Sequence, residues 1–147
     1  MYRHILVPTD GSELSQSAVH AAVQMAKGLG ARITGFFAIK EYPLPSFVRY
    51  PPEDLMKPEA FRAAQEAKAR TALAYVVSEA EAAGVPFETL MLASDAPYKA
   101  IVEAATQTHC DLICMASHGR RGAAAKVLGS ETNKVLVHSP VPVLVYR

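Results

Sequence analysis

Ile5-Leu6-Val7-Pro8-Thr9-Asp10-Gly11-Ser12 decides how the rest of this chain is read. Three branched apolar residues with no polar residue between them have the texture of a strand buried on both faces, which has no solvent side to keep polar. The run ends in Pro-Thr-Asp-Gly-Ser, and Ser12 is placed to cap the helical pattern that follows. In that pattern Leu14, Ala18, Ala21, Ala22, Met25 and Leu29 share one face, and Gly28 and Gly30 close it. A doubly buried strand feeding an amphipathic helix through a short turn predicts an α/β protein with a parallel sheet.

Outward from this unit, Ile33 to Ile39, Phe87 to Leu92, Leu112 to Ala116 and Val141 to Tyr146 have the same texture and read as further strands. A second helical pattern spans Pro58 to Ala83, alanine-rich with Phe61, Leu73, Val76 and Val77 as larger anchors, and ends at Gly84 and Pro86. A third opens at Asp95-Ala96-Pro97, where an acidic cap and an early proline suit a helix start, and a shorter fourth begins near Ser130. Strands and helices alternate from end to end without an internal repeat. With right-handed crossovers, that order gives a doubly wound open sheet covered by helices on both faces. Glu41 to Pro58 stands apart: five prolines and three aromatics make it a long loop rather than a helix or a central strand. Its rings, Tyr42, Phe47 and Tyr50, are either covers for a bound base or packing anchors of an irregular connection, and packing is the preferred role.

The length of 147 residues fits a single domain over residues 1–147, and with half the residues apolar a packed core is expected. Fifteen basic against fourteen acidic side chains create no field that would recruit nucleic acid or an anionic membrane, so any anion site must be local. No apolar run reaches the ~18–20 residues of a membrane span, and the first residues lack the apolar core of a signal peptide; a cytoplasmic protein is expected. Cys110 and Cys114 then read as a reduced, buried, unreactive pair, since His109 and His118 give no standard metal-ligand spacing with them.

In an open parallel sheet, ligands bind beyond the carboxyl ends of the strands, where neighbouring connections depart in opposite directions. Two loops suit that position. In Pro8-Thr9-Asp10-Gly11-Ser12, Asp10 can meet a ribose hydroxyl or a metal ion beside phosphates, or serve as ordinary helix-capping chemistry. The second runs Ala116-Ser117-His118-Gly119-Arg120-Arg121-Gly122 and continues to Gly129-Ser130-Glu131-Thr132, where a helix starts. Small residues let backbone N–H groups approach an anion, and the helix start adds free donors and the positive end of its dipole, so phosphate is the natural guest. Ser130 and Thr132 can add hydroxyls; Arg120 and Arg121 add charge or are simply solvated. His118 has no serine, cysteine or carboxylate placed by sequence to work with it, so no catalytic residue is assigned. G-x-x-x-x-G-K-S/T, G-x-G-x-x-G after the first strand, G-x-S-x-G and H-E-x-x-H are all absent, which disfavours a P-loop NTPase, a dinucleotide dehydrogenase, and the simplest hydrolase and zinc-protease routes.

At Ile5 to Ser12, Asp111 to Gly122, and Gly129-Ser130 through Pro142-Val143-Leu144-Val145-Tyr146 the chain closely resembles the universal stress protein family. The resemblance implies a five-stranded parallel sheet in the order 3-2-1-4-5, of the adenine nucleotide alpha hydrolase-like kind. It also implies ATP, with ADP or AMP as alternatives and Mg²⁺ possible. The family's ATP-binding pattern G-x-x-G-x(9)-G-S/T falls on Ala116, Gly119, Gly129 and Ser130, so alanine replaces its first glycine. That methyl weakens binding if the position needs φ > 0 or close ligand contact, and costs little at an ordinary strand end. By the same carry-over Asp10 meets the ribose or a phosphate-bound Mg²⁺ and Ile39 the adenine. Pro8, Thr9, Met115, Ala116, Ser117, His118, Gly119, Arg120, Gly122, Gly129, Ser130, Glu131 and Thr132 complete the site. A homodimer through antiparallel pairing of Val141 to Tyr146 is implied too, with Pro142 near the strand start. The expected role is a nucleotide-binding stress-response module with slow or absent hydrolysis. The alternatives are a dimeric scaffold that binds no nucleotide, and a weak ATPase or nucleotidyl-transfer enzyme whose only candidate groups are Asp10, His118 and Glu131.

Overall fold

The structure, a computed structural model, describes residues 1–50, 52–119 and 127–147. β1 (His4–Pro8), α1 (Glu13–Leu29), β2 (Arg32–Lys40), α2 (Pro58–Ala83), β3 (Phe87–Ser94), α3 (Pro97–Thr108), β4 (Leu112–Ala116), α4 (Ser130–His138) and β5 (Val143–Tyr146) alternate along the chain. All strands are parallel, in the order β3-β2-β1-β4-β5 expected from the sequence.

The apolar texture of the central strand has its cause in both faces at once. Ile5 and Val7 of β1 pack with Ile33, Leu112 and Cys114 under α1 (Val19, Ala22, Val23, Ala26) and α2 (Val76, Ala80). Leu6, between them, points the other way and packs with Phe36, Ile113 and Met115 under α3 (Ala100, Ile101, Ala104) and Val135 of α4. Ile5, Leu6 and Val7 have no exposed surface at all. Fully burying each such side chain stabilises the fold by about 1.5–3 kcal/mol. Cys114 and Cys110 fall into the two separate cores, and burial raises both thiols, that of Cys114 to about 11, so they are protonated and unreactive at neutral pH.

α1 starts as the sequence suggests, with Ser12 Oγ accepting from the Ser15 amide (3.3 Å). Two expectations are corrected. β5 begins at Val143 rather than Val141: residues 139–141 form a local turn in which the Ser139 hydroxyl bonds Val141 (2.7 Å to O, 3.2 Å from N), and Pro142, with no N–H, offers only its carbonyl to Ile113 N (3.0 Å). Asp95 does not cap α3; the capping position is Ala96, and the Asp95 carboxylate is drawn instead to Lys99 (2.9 Å) one turn ahead.

At the opposite end of the sheet, the Asp111 carboxylate accepts from the amides of Arg3 (2.9 Å) and His4 (3.0 Å), pinning the start of β1 to the start of β4. Partial desolvation pushes that carboxyl up, but the amide hydrogen bonds outweigh it and hold it below its ordinary value. Next to this clasp His4 is buried. Its Nε2 lies 2.6 Å from Thr34 Oγ1, and the Thr34 hydroxyl in turn donates to Glu88 Oε1 (2.8 Å). Because the hydroxyl proton goes to Glu88, Nε2 carries hydrogen, and among the described residues Nδ1 is buried without a close hydrogen-bond partner. Burial first, then the Arg32 charge, lowers the imidazole's affinity for a second proton, which keeps the ring neutral at pH 7; Glu88, Asp111 and the Thr108 backbone oppose this without reversing it.

Gly35 lets α2 pack closely on the sheet. A Cβ there would stand 2.7 Å from Val76 Cγ1 of α2, and the contact lies between two rigid elements. Gly35→Ala is expected to destabilise the protein by about 1–3 kcal/mol. Gly28→Ala, whose methyl meets nothing within 4 Å, should instead stabilise by up to about 1 kcal/mol through helix propensity. Urea unfolding of the two variants reads both signs.

His4 gives a pH dependence with a defined direction. Its folded pKa lies below the unfolded value near 6.5, so as pH falls the unfolded chain takes up the proton first. The contribution of neutral His4 is complete above about pH 6.5 and is lost below it. Unfolding free energy measured from pH 7.5 to 5 should decline below 6.5 in the wild type and flatten in His4→Gln. An unchanged slope in the variant would assign the effect to other groups.

Candidate functional site

β1 and β4 are neighbours whose outgoing connections lie on opposite faces of the sheet, α1 on one and α4 on the other. A cleft of about 1200 Å³ opens beyond their carboxyl ends. Its floor is the C-terminal half of β2, and its walls are the loop after β1, the end of β4, the start of α4 and one face of α2.

The loop after β1 is fixed by its own side chains. Thr9 Oγ1 and Ser15 Oγ lie 2.7 Å apart, the Gly11 amide donates to Thr9 Oγ1 (3.2 Å), and the Ser12 amide donates to Asp10 Oδ1 (3.0 Å). This turn aims Asp10 Oδ2 at the backbone of Gly119, so closely that a Cβ at residue 119 would collide with the carboxylate. The two loops singled out in the sequence therefore meet, and Gly119 is what lets them.

β4 leaves the sheet at Ala116, which pairs with Tyr146 and is buried. Among the described residues His109 alone, glycines aside, has a positive φ, so Ala116 is an ordinary strand end and its methyl carries no backbone strain. Ser117 is buried behind the cleft wall: its amide donates to Tyr146 O (2.7 Å) and its carbonyl accepts from Gly129 N (2.7 Å), seating the start of α4 on the end of β4. His118 lines the cleft, with Nδ1 3.2 Å from Ser117 Oγ. Arg120 and Gly122, expected at the site, lie outside the described residues, as does Arg121.

α4 presents an uncapped N-terminus. Gly129 is the capping residue and has no side chain to accept from the first turn. The Thr132 hydroxyl turns back to donate to Ala116 O (3.0 Å). Glu131 points away to α3, where Oε2 accepts from the Tyr98 amide (2.9 Å) and supplies the cap that Ala96 cannot, while Oε1 sits 3.5 Å from Lys134. Among the described residues no hydrogen-bond acceptor faces the amides of Ser130, Glu131 and Thr132, and all three residues line the cleft. They form an oriented set of donors with the helix dipole behind them. The sequence placed Glu131 at the site by its position; the structure gives its carboxylate to a neighbouring helix.

Pro8, Thr9, Asp10, Ile39, Met115, Ala116, His118, Gly119, Gly129, Ser130 and Thr132 all border the cleft. The side chain of Ile39 is 1% exposed and packs against Ala69, Ala72 and Leu73 of α2. Sequence reasoning missed the α2 wall, Gln65, Lys68, Thr71 and Ala72, and the lip formed by Lys40 and Ser94. The signal was present as polar residues at helical spacing beside the Ala69, Leu73, Val76 stripe. In the proline-rich loop, Tyr42 anchors as preferred: its hydroxyl donates to Met56 O (2.7 Å) and its ring meets Phe61 edge-on at 5.5 Å. Phe47 and Tyr50 are 84% and 86% exposed and take neither of the roles considered for them. Among the described residues no three His, Cys, Asp or Glu side chains gather as a metal site, and no helix is long and apolar enough to cross a membrane.

Comparison with known proteins fits this architecture. The chain is 33% identical over 147 residues to a universal stress protein of Methanocaldococcus jannaschii, covering all of this chain and 83% of the relative. It is 32% identical over 148 residues to a universal stress protein of Thermus aquaticus, with full coverage of both. Among solved structures, a universal stress protein in complex with cAMP is 29% identical and superposes with a TM-score of 0.71, over 99% of this chain and 97% of that one. Residues 1–147 match the profile of the universal stress protein family, and the chain belongs to that family.

Proposed function

We propose that this protein is an adenine-nucleotide-binding stress-response module, with ATP as the principal ligand and ADP or AMP as alternatives. The observation that carries the reading is the uncapped start of α4, three backbone donors facing a cleft across from Asp10 and Gly119. The cAMP complex of a relative 29% identical supports an adenine nucleotide in particular. The phosphates would lie against the amides of Ser130 to Thr132, the Ser130 hydroxyl and the loop from Ala116 to Gly119, with Arg120 and Gly122 as further contacts. Asp10, with Pro8 and Thr9, would meet the ribose, and Ile39 and Met115 the base.

Mg²⁺ fits only as a companion of the phosphates. Asp10 is the one proposed ligand carboxylate, since Glu131 is committed to α3, and a Mg²⁺ held by phosphates, waters and one carboxylate is ordinary coordination for that ion. Among the described residues His118 bonds to Ser117 and to no carboxylate, so the chain's own groups support binding with slow or absent hydrolysis. For assembly we infer a homodimer through β5. It is the last strand of the sheet, it exposes 46% of Leu144, and a free apolar edge favours pairing with a second copy.

Ser130→Pro tests the phosphate site while sparing the helix. Proline is favoured at the first helical position, and Gly129 before it is already extended (ψ 151°), so α4 should form normally with one amide donor and one hydroxyl fewer. ATP affinity by calorimetry is expected to fall roughly ten- to hundredfold, the worth of a hydrogen bond to a charged group. Ala116→Gly should change affinity by less than about threefold, because alanine already fits there without strain. Undiminished binding by Ser130→Pro would place the phosphates elsewhere.

Val145→Pro addresses the dimer. Pro142 and Tyr146 turn their carbonyls to β4, so by strand alternation the Val145 amide faces the outer edge. Sedimentation should find the wild type dimeric and the folded variant monomeric. A dimeric variant would move the interface away from β5.

A further inference from the structure

The strand that floors the cleft is longer than its neighbour. β1 stops pairing at Pro8, opposite Phe36, and the last bond across this edge is Thr9 N to Phe36 O (2.9 Å). β2 continues to Lys40, so by strand alternation the main-chain groups of Ala38 and Lys40 point past the end of β1 into the cleft. One of these groups is already satisfied: the Lys40 amide donates to Oε1 of Gln65 (3.3 Å), reached from α2.

Gln65 is an unusual residue for this helix face. It is 7% exposed, on the same side of α2 as the buried Ala69, Ala72 and Leu73. The bond to Lys40 fixes its orientation, because turning the amide over would set an NH₂ against an N–H. One acceptor site of the carbonyl is therefore filled and the oxygen is held at Lys40, while the NH₂ remains as a donor. That bond is the one polar interaction of the side chain among the described residues. The side chain lines the cleft beside Phe37, Ile39 and Ala72, so the donor stands against an apolar wall.

We propose that Gln65 is a specificity-determining residue of the nucleotide site, its amide NH₂ donating to an acceptor nitrogen of the base ring. This rests on the adenine-nucleotide reading and deepens it. While the cleft holds solvent, water serves the NH₂; a ring that displaces this water must replace its hydrogen bond or leave a buried donor unpaired. Because the Lys40 bond fixes the amide's orientation, the position of the NH₂ rewards a ring acceptor and penalises a ring that presents C–H or N–H at the same place. A site built around a hydrogen bond discriminates against ligands lacking the partner far better than an apolar pocket discriminates by shape.

The test is a coupling measurement on the full chain. ATP and its 1-deaza, 3-deaza and 7-deaza analogues, each lacking one ring nitrogen, are titrated by calorimetry into wild type, Gln65→Glu and Gln65→Met, with thermal melts confirming the fold. Gln65→Glu keeps an acceptor for the Lys40 amide and removes the donor; Gln65→Met removes the donor without adding charge. In the wild type one analogue is expected to bind about tenfold more weakly than ATP, and in both variants ATP itself weakens while that one preference disappears. If the wild type binds ATP but every analogue's penalty is the same in the variants, Gln65 does not read the base and this assignment alone falls. If the wild type binds no ATP, ADP or AMP, the nucleotide reading of the cleft falls and this assignment with it.

Discussion

Burial of β1 on both faces is the constraint from which the architecture follows. Ile5, Leu6 and Val7 leave no surface to solvent, so helices must cover the sheet above and below, and the chain must change sides at some strand boundary. It does so between β1 and β4, because β2 and β3 extend the sheet in one direction and β4 and β5 in the other. The diverging connections open the cleft there. The site is thus a by-product of covering the sheet, and its first requirement, a recess at strand ends, is met before any binding residue is specified.

What distinguishes one wall of the recess is the arrangement of its backbone donors. α4 arrives with Gly129 in the capping position, and the acidic side chain of its first turn, Glu131, serves the amide of Tyr98. Among the described residues the first-turn donors of α4 are left without an acceptor, while the Tyr98 amide of α3 is taken by a carboxylate. One acidic residue thereby decides which of two adjacent helix ends is open to an anion. Lys134 supports it on both sides, 3.5 Å from Glu131 and 5.5 Å from the centre of the Tyr98 ring.

The strands and helices were legible because their signals are local: branched apolar runs, Gly30 and Gly84 at helix ends, Ser12 at a helix start. The order of the strands was not local. It came from the resemblance carried by Ile5 to Ser12 and Asp111 to Gly122, and the pairing agrees with it. Within the site, the meeting of Asp10 with Gly119 followed from strand order, whereas the direction of Glu131 did not, since position on a helix does not say which neighbour a carboxylate will choose. The α2 wall was illegible for a related reason. Gln65 and Lys68 look like ordinary polar residues of a long helix until the overrun of β2 past β1 shows what they border. The shift of β5 to Val143 reflects Ser139 and Val141 closing a turn, which apolar texture alone overrides in a reading of the sequence.

Gly35 has a mechanical consequence for the site. The close contact with Val76 seats α2 on the sheet some eleven residues beyond Gln65, a lever arm of about 16 Å at the rise of an α-helix. Pivoting about that point by about 5° would displace Gln65 by about 1.4 Å, enough to make or break a hydrogen bond. The missing methyl at residue 35 therefore sets the contact about which any tilt of α2 would be levered, and that contact is written into the sheet rather than into the helix.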